Sequence, residues 1–359
     1  MLRMRGVRTR LCPVLIHITS RLTAGPCVKR MSCSSLGRRL VACLLNISEA
    51  RRRDLVETVA RSAITDAHGR AREGVTVLNI FNDFDYNRSV ITIVASIDLI
   101  REAVLSACQH ACSIIDMNAH DGIHPCMGAV DLVPLYPLGE EVGLEDCGQE
   151  AQALAKAPTE RVPGSSAFLF GWADSQHRSL AQRRKGIGWF KKARDISTIQ
   201  PDIGPQPARR YGITGVGASP YTMNCNVTID TQDLSLGRFL ASAIRESSPN
   251  GIPGVQVIAL PHEGAVEIAC NVESVENGSQ SFSYEGEPWP GFTIRGQNLY
   301  HAPASLITAR VALLARHHGV AIKGTALVGF TPCECRSMAE GALSKGIKQF
   351  WKKLPHIHM

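Results

Sequence analysis

From residue 40 onward the apolar positions fall into two alternating periods. Leu40 to Ile47 is a continuous apolar run, the pattern of a strand covered on both faces, and Ser48 after it is a helix-capping residue. Leu55, Val56, Val59, Ala60, Ala63 and Ile64 then recur at helical spacing. Val75 to Ile80 and Val90 to Ala95 predict two strands around a polar turn at Asp83 to Arg88. Ile100, Val104, Ala107, Ala111 and Ile114 mark a second amphipathic helix, and Ala129 to Leu135 predicts another strand. The order is β-α-β-β-α-β, the split unit of a ferredoxin-like layer. A helix over Leu144 to Ala157, a strand over Ala167 to Phe170 and a basic helix over Gln176 to Lys192 follow.

Proline- and glycine-bearing sequence from Pro201 to Pro220 interrupts the pattern, and the second half then repeats the first. Tyr221 to Ile229 predicts a strand and Leu234 to Ile244 a helix. Val255 to Leu260 and Val266 to Val272 predict a hairpin turning at His262-Glu263-Gly264. Glu273 to Pro290 is a polar stretch expected to be an exposed loop, before a helix over Ala304 to His318 and a strand over Thr325 to Phe330. The expected fold class is α+β, with tandem ferredoxin-like subdomains enclosing a ligand cleft. The expected divisions are an extension over 1–39, an N-terminal subdomain over 40–200, a linker and ligand loop over 201–220, and a C-terminal subdomain over 221–359.

Composition changes this picture in two places. The 359 residues are 44% hydrophobic, enough for a large buried core, and no apolar run is long enough to span a bilayer. The formal charge is +7, but nine of the 39 basic residues lie in 1–39, where there is no Asp or Glu; the remainder carries 30 basic against 32 acidic side chains. The body is therefore not a basic protein, and neither a nucleic acid nor a membrane is expected as a partner. The extension is either a transit peptide or a disordered segment, which places the protein in the cytoplasm, or in a mitochondrion or plastid if it is a transit peptide. Twelve cysteines are scattered without secreted-type spacing, which fits reduced thiols. Cys333 and Cys335 form a C-x-C with no second pair at zinc-finger spacing, so no metal is expected.

The candidate chemistry is concentrated in residues 120–131, His-Asp-Gly-Ile-His-Pro-Cys-Met-Gly-Ala-Val-Asp. Gly122 and Pro125 disfavour a helix, so His120 and His124 do not share a helical face as a zinc-protease site requires. His124 either transfers protons, having an unperturbed pKa near neutrality, or bonds a backbone group in a tight loop. His120 is an orienting or solvent-facing neighbour. Asp131 either holds an imidazole in one tautomer or pairs with an arginine. The glycines Gly212, Gly215 and Gly217 either admit a ligand close to the backbone or form an interdomain connection; the segment lacks a P-loop ending. Arg88, Arg183-Arg184-Lys185 and Arg209-Arg210 either meet substrate carboxylates or form solvated faces.

Together these segments resemble the formiminotransferase domain of formiminotransferase cyclodeaminase, over residues 40 to about 350. The resemblance is carried by Asn46-Ile-Ser-Glu49, Asn87-Arg-Ser-Val90, Ile115-Asp-Met117 and, above all, His120-x-Gly-x-His-Pro-x-Met-Gly-Ala-x-Asp131. Asp202-Ile-Gly-Pro205, Gly212 to Ala218 and Asn226 continue it. It implies transfer of a formimino or formyl group between an N-substituted glutamate and tetrahydrofolate, with His124 as general acid/base and His120 and Asp131 behind it. It implies that Asp202, Gly204, Pro205, Gly212, Gly215, Gly217 and Asn226 line the folate site and that Arg88, Arg184 and Arg209 face the carboxylates of a small acidic amino-acid derivative. Tetrahydrofolate is then a co-substrate, no metal is needed, and a homodimer is left open. The helical cyclodeaminase domain has no counterpart in these 359 residues, so a monofunctional transferase is expected. The family has Arg where Cys126 stands, Arg-Lys at Ser219-Pro220 and Glu at Ile187; these departures weaken the cationic complement for an anionic substrate. They leave open a second reading, a folate-binding protein without turnover, and a weaker third, a metal-binding protein using His120, His124 and Cys126.

Overall fold

The computed structural model describes residues 37–189, 196–276 and 282–353. Up to residue 36 the expected extension lies outside the described residues, as does the end of the expected basic helix from residue 190. The described residues all fall in one compact unit.

The first half runs β1 (Leu40–Ile47), α1 (Arg53–Ala63), β2 (Val75–Asp83), β3 (Arg88–Ser96), α2 (Ile97–Ile114), β4 (Val130–Pro137), α3 (Leu144–Arg161), β5 (Ala167–Gly171), α4 (Leu180–Gly186) and β6 (Thr214–Ala218). Its sheet has the order β2-β3-β1-β4-β6-β5. β1 lies antiparallel between β3 and β4, while β6 runs parallel to both β4 and β5. Residues 41, 43, 45 and 47 of β1 pack under α1, α2 and α3, and residues 40, 42 and 44 join a second core shared with the second half. Both faces are therefore covered, which is why this strand reads as a continuous apolar run.

The second half runs β7 (Thr222–Ile229), α5 (Leu234–Ile244), β8 (Val255–His262), β9 (Ala265–Glu273), the short strands β10 (Val275–Glu276), β11 (Ser283–Tyr284), β12 (Glu287–Pro288), β13 (Gly291–Ile294) and β14 (Gln297–Tyr300), then α6 (Ala304–Arg316), β15 (Ile322–Val328) and α7 (Pro332–Ser344). Its main sheet has the order β15-β7-β9-β8. Met223, Cys225, Val227 and Ile229 of β7 are buried in the core, so the alternate residues Thr222, Asn224 and Asn226 face the other way. After α7 the chain returns to the first sheet, where Val77 N–H donates to Lys348 O at 2.9 Å and Thr76 Oγ1 to Ile347 O at 2.8 Å. The fold is α+β, with several sheets.

Four expectations change. Ser48 does not cap α1, which begins at Arg53 after Arg52; its hydroxyl donates to Gly128 O instead. The segment read as a linker contributes β6 to the interior of the first sheet. Its glycines are there for packing: a Cβ on Gly215 would lie 2.6 Å from the Phe168 ring, and one on Gly217 would lie 2.6 Å from the Phe170 ring and 2.4 Å from the Phe170 carbonyl oxygen. The stretch Glu273 to Pro290, read as a loop, contains β10, β11 and β12 among its described residues. The basic helix is shorter than expected, because a Ser179–Gln182 capping box starts it at Leu180.

Candidate active site

The two sheets face each other across a cavity of about 790 Å³, within the usual range for a small-molecule site. Leu44, Asn46, Arg88 and Leu132 come from the first sheet, and Asn224, Asn226, Gln256 and Asn271 from the second. His124, Tyr86, Arg184 and Trp189 close one part of it.

Three separate segments hold His124 in place. The Ser48 hydroxyl donates to Gly128 O at 2.7 Å, and Ser48 N–H to Ala129 O at 3.0 Å, fixing the end of the histidine loop against β1. Asn87 adopts a left-handed φ of 47° in the β2–β3 turn; its side chain accepts from Ala50 N at 3.0 Å and donates to Asp121 O at 3.1 Å. Gly122 passes so close to this turn that a Cβ would lie 2.3 Å from Tyr86 O, so only glycine fits. His124 Nδ1 lies 2.9 Å from Pro125 O. A carbonyl can only accept, so the neutral ring carries its proton on Nδ1 and leaves Nε2 as the basic nitrogen.

Burial is the largest influence on His124, and it lowers the pKa; the cations Arg88 and Arg184 push the same way against an opposing pull from Cys126. The imidazole is therefore neutral at neutral pH, the state of a general base. Trp189 meets it edge-on at 5.6 Å and Tyr86 packs against it at 5.2 Å.

Beside the imidazole lies a buried charge triad. Arg88 pairs with Asp131 directly, Arg184 Nη2 stands 3.6 Å from the same carboxylate, and Met127 N–H donates to it at 2.6 Å. Burial opposes the Asp131 charge, but the two guanidiniums and that N–H outweigh it and hold the carboxyl below its ordinary pKa. Burial brings Arg184 down to about 10, which leaves it charged at neutral pH, stacked over Trp189 at 4.4 Å. Two cations against one carboxylate leave a positive excess beside His124, suited to an anionic ligand. Cys126 stands 3.5 Å from Arg88 Nη1; burial raises its pKa, and Arg88 and His124 bring it below the ordinary value.

The family profile for the N-terminal subdomain of the formiminotransferase domain matches residues 40–219. The glutamate formimidoyltransferase of Thermoplasma acidophilum is 32% identical over 253 residues, 68% of this chain and 80% of that protein. This chain belongs to the formiminotransferase family. A formiminotransferase cyclodeaminase-like protein of Arabidopsis thaliana is 30% identical, covering 66% of this chain and 83% of its own length. The glutamate formimidoyltransferase of Streptococcus pyogenes serotype M1 is 26% identical over 82% of this chain and 90% of its own length.

Of the positions that the formiminotransferase resemblance picked out, His124, Arg88, Arg184 and Asn226 line the cavity. Asp131 takes the second of its two readings, pairing with arginines rather than with an imidazole. His120 is half-buried outside the lining, and Asp202 pairs with Arg183 and accepts from Leu169 N at 2.7 Å. Gly204 and Pro205 are exposed, Gly212, Gly215 and Gly217 serve the packing of the first half, and Arg209 is exposed; none of these lines the cavity. Of the departures from the family, Ser219 and Pro220 do line it. Among the described residues no group of three His, Cys, Asp or Glu side chains is arranged to hold a metal, and no helix is long and apolar enough to cross a membrane.

A second cluster, unread in the sequence, joins the two halves of this formiminotransferase. His262 Nε2 of β8 lies 2.9 Å from Asp83 Oδ2 of β2, and its Nδ1 lies 3.7 Å from Glu267 Oε2. Burial alone would lower the His262 pKa, but the hydrogen bond to Asp83 and the charge of Glu267 raise it to about 9. The folded-state pKa is above the unfolded one, so the stabilisation is complete below about pH 6.5 and lost as pH rises through about 9. The melting temperature is expected to fall from neutrality towards pH 10, and His262→Gln to flatten that slope. A steep slope surviving in the variant would assign it to other groups.

Proposed function

We propose that the chain is a glutamate formimidoyltransferase, moving a formimino group between N-formiminoglutamate and tetrahydrofolate. The observation that carries this reading is His124, a neutral imidazole with Nδ1 committed to Pro125 O, standing in the cleft beside the Arg88–Asp131–Arg184 triad. The matching strand orders support reading the molecule as tandem ferredoxin-like subdomains. In each half the fourth strand of a β-α-β-β-α-β unit lies beside the first, the first beside the third and the third beside the second. In this reading β5, β6, α3 and α4 are additions to the first unit, and β10 to β14 an insertion in the second.

Folate N5 attacks the amidine carbon of the formimino group, forming a tetrahedral adduct. His124 Nε2 accepts the proton that N5 sheds. The bond from carbon to the glutamate nitrogen then breaks, and the imidazolium returns its proton to that nitrogen, releasing glutamate and leaving the formimino group on N5. Arg88 and Arg184 meet the carboxylates of the glutamate moiety, and the amide-lined face of β7 and β9 offers hydrogen bonds to the folate. The 202–205 segment implied for the folate has no place in this account, because it does not line the cavity.

The reading is tested by binding. Tetrahydrofolate is expected to raise the melting temperature progressively with concentration, as a ligand of the folded state does. Unchanged melting at saturating tetrahydrofolate would remove both the transferase reading and that of a folate binder without turnover.

A further inference from the structure

Tyr86 stands between two imidazoles, its ring 5.2 Å from His124 and 4.9 Å from His262. The β2–β3 turn supplies it, with its N–H donating to Asp83 Oδ1 at 2.8 Å. The hydroxyl reaches across to the second half and donates to Glu267 Oε1 of β9 at 2.6 Å. Asn226 Nδ2 of β7 donates to the same oxygen at 2.9 Å. Glu267 is 1% exposed, and burial raises its pKa and that of Tyr86.

Besides its side-chain hydrogen bond with Cys126, His124 is held from three directions. Pro125 O accepts a hydrogen bond from its Nδ1–H, Trp189 meets it edge-on, and Tyr86 packs on it with its far end fixed by Glu267. The first two contacts belong to the first half, and the third is anchored in the second. A buried carboxylate is costly to desolvate, and an apolar side chain at position 267 would cost less. What Glu267 provides is a charge-assisted hydrogen bond that fixes one aromatic ring against one imidazole.

We propose that Tyr86 and Glu267 are positioning residues for His124: through their hydrogen bond the second half sets the orientation of the imidazole, so the acid/base group is aligned only when the two halves are joined. The inference rests on His124 being that group. It follows from geometry, since proton transfer demands an imidazole held within about 0.5 Å and 10–20° of its working position, and a ring with one loose side does not meet that demand.

The test uses Tyr86→Phe, Glu267→Leu, which leaves no acceptor for the Tyr86 hydroxyl, and the double variant, with formiminoglutamate and tetrahydrofolate as substrates. Each single change is expected to lower kcat about 10- to 100-fold, the penalty of a slightly misplaced catalytic group, while KM for both substrates stays within about twofold. The double variant is expected to match the singles, because both act through one bond. Multiplying losses, or a change in KM with kcat intact, would overturn the proposal.

The second readout needs no turnover: the His124 pKa by nuclear magnetic resonance, assigned with His124→Asn. Besides burial, its strongest influences are Arg88, Arg184 and Cys126, and these three are untouched in the variants. A loosened ring admits water, so the pKa is expected to rise in both single variants. Removing the negative charge of Glu267 would by itself lower it, so a fall or no change would overturn the proposal. A parent protein without transfer activity would count against the functional reading, while this titration still decides the positioning.

Discussion

His124→Asn is expected to lower kcat for formimino transfer by about 10²-fold or more, the size of an acid/base contribution, while tetrahydrofolate binding changes little. Asparagine keeps a side-chain N–H for Pro125 O and fills much of the same space, so the loop stays in place. What disappears is the nitrogen that takes the proton from N5 and returns it to the leaving amine. The pH dependence follows from the same group. His124 works as a base in its neutral form, and burial puts its pKa below the ordinary imidazole value. The acid limb of the kcat profile is therefore expected below about pH 6.5, and is expected to vanish from the residual activity of His124→Asn. Full activity in the variant would show that the proton moves by another route.

Asp131→Ala is expected to cost about 3–5 kcal/mol of stability, the range for breaking a buried ion pair by removing one partner. Asp131 is 3% exposed and serves Arg88, Arg184 and the Met127 N–H together. Without it two guanidiniums face each other in the cleft with nothing between them. Urea unfolding measures the loss as a lower midpoint at unchanged slope. A loss below about 1 kcal/mol, the worth of an exposed pair, would mean that water or another carboxylate already compensates the arginines. Asp131→Asn keeps the acceptor for Met127 N–H and is expected to lose less.

How far the sequence reveals this molecule depends on what each residue packs against. β1, β3 and the amphipathic α1 and α2 were legible because their apolar residues are spaced as the buried faces require. β6 was not. Its alternate residues are glycines covered by Phe168 and Phe170, and a strand without side chains on one face looks like a loop in composition. α7 was missed although Thr331-Pro-Cys-Glu334 forms a capping box with proline at the first position, a signal that amphipathic periodicity does not contain. Cys333 and Cys335 both fall on this helix, the first exposed and the second buried.

The candidate site divides in the same way. His124 stood out as a candidate because proline and glycine around it rule out the helical alternative, whereas the cap before Arg184 went unread, its helix being expected from Gln176. Gly212, Gly215 and Gly217 misled, since glycine admits a ligand and a neighbouring ring equally well. Tyr86 and Glu267 lie 181 positions apart, and neither has a neighbour in the sequence that suggests the other. Their pairing exists only once β9 is laid across the β2–β3 turn.

The functional reading is tested most directly by mixing purified protein with N-formiminoglutamate and tetrahydrofolate and following 5-formiminotetrahydrofolate and glutamate together. Equal amounts of both products, formed at a rate proportional to enzyme and abolished without either substrate, are the expected result. Tetrahydrofolate bound in the cleft with neither product formed over many expected turnovers would contradict it, and would leave a folate-binding protein built on the same frame.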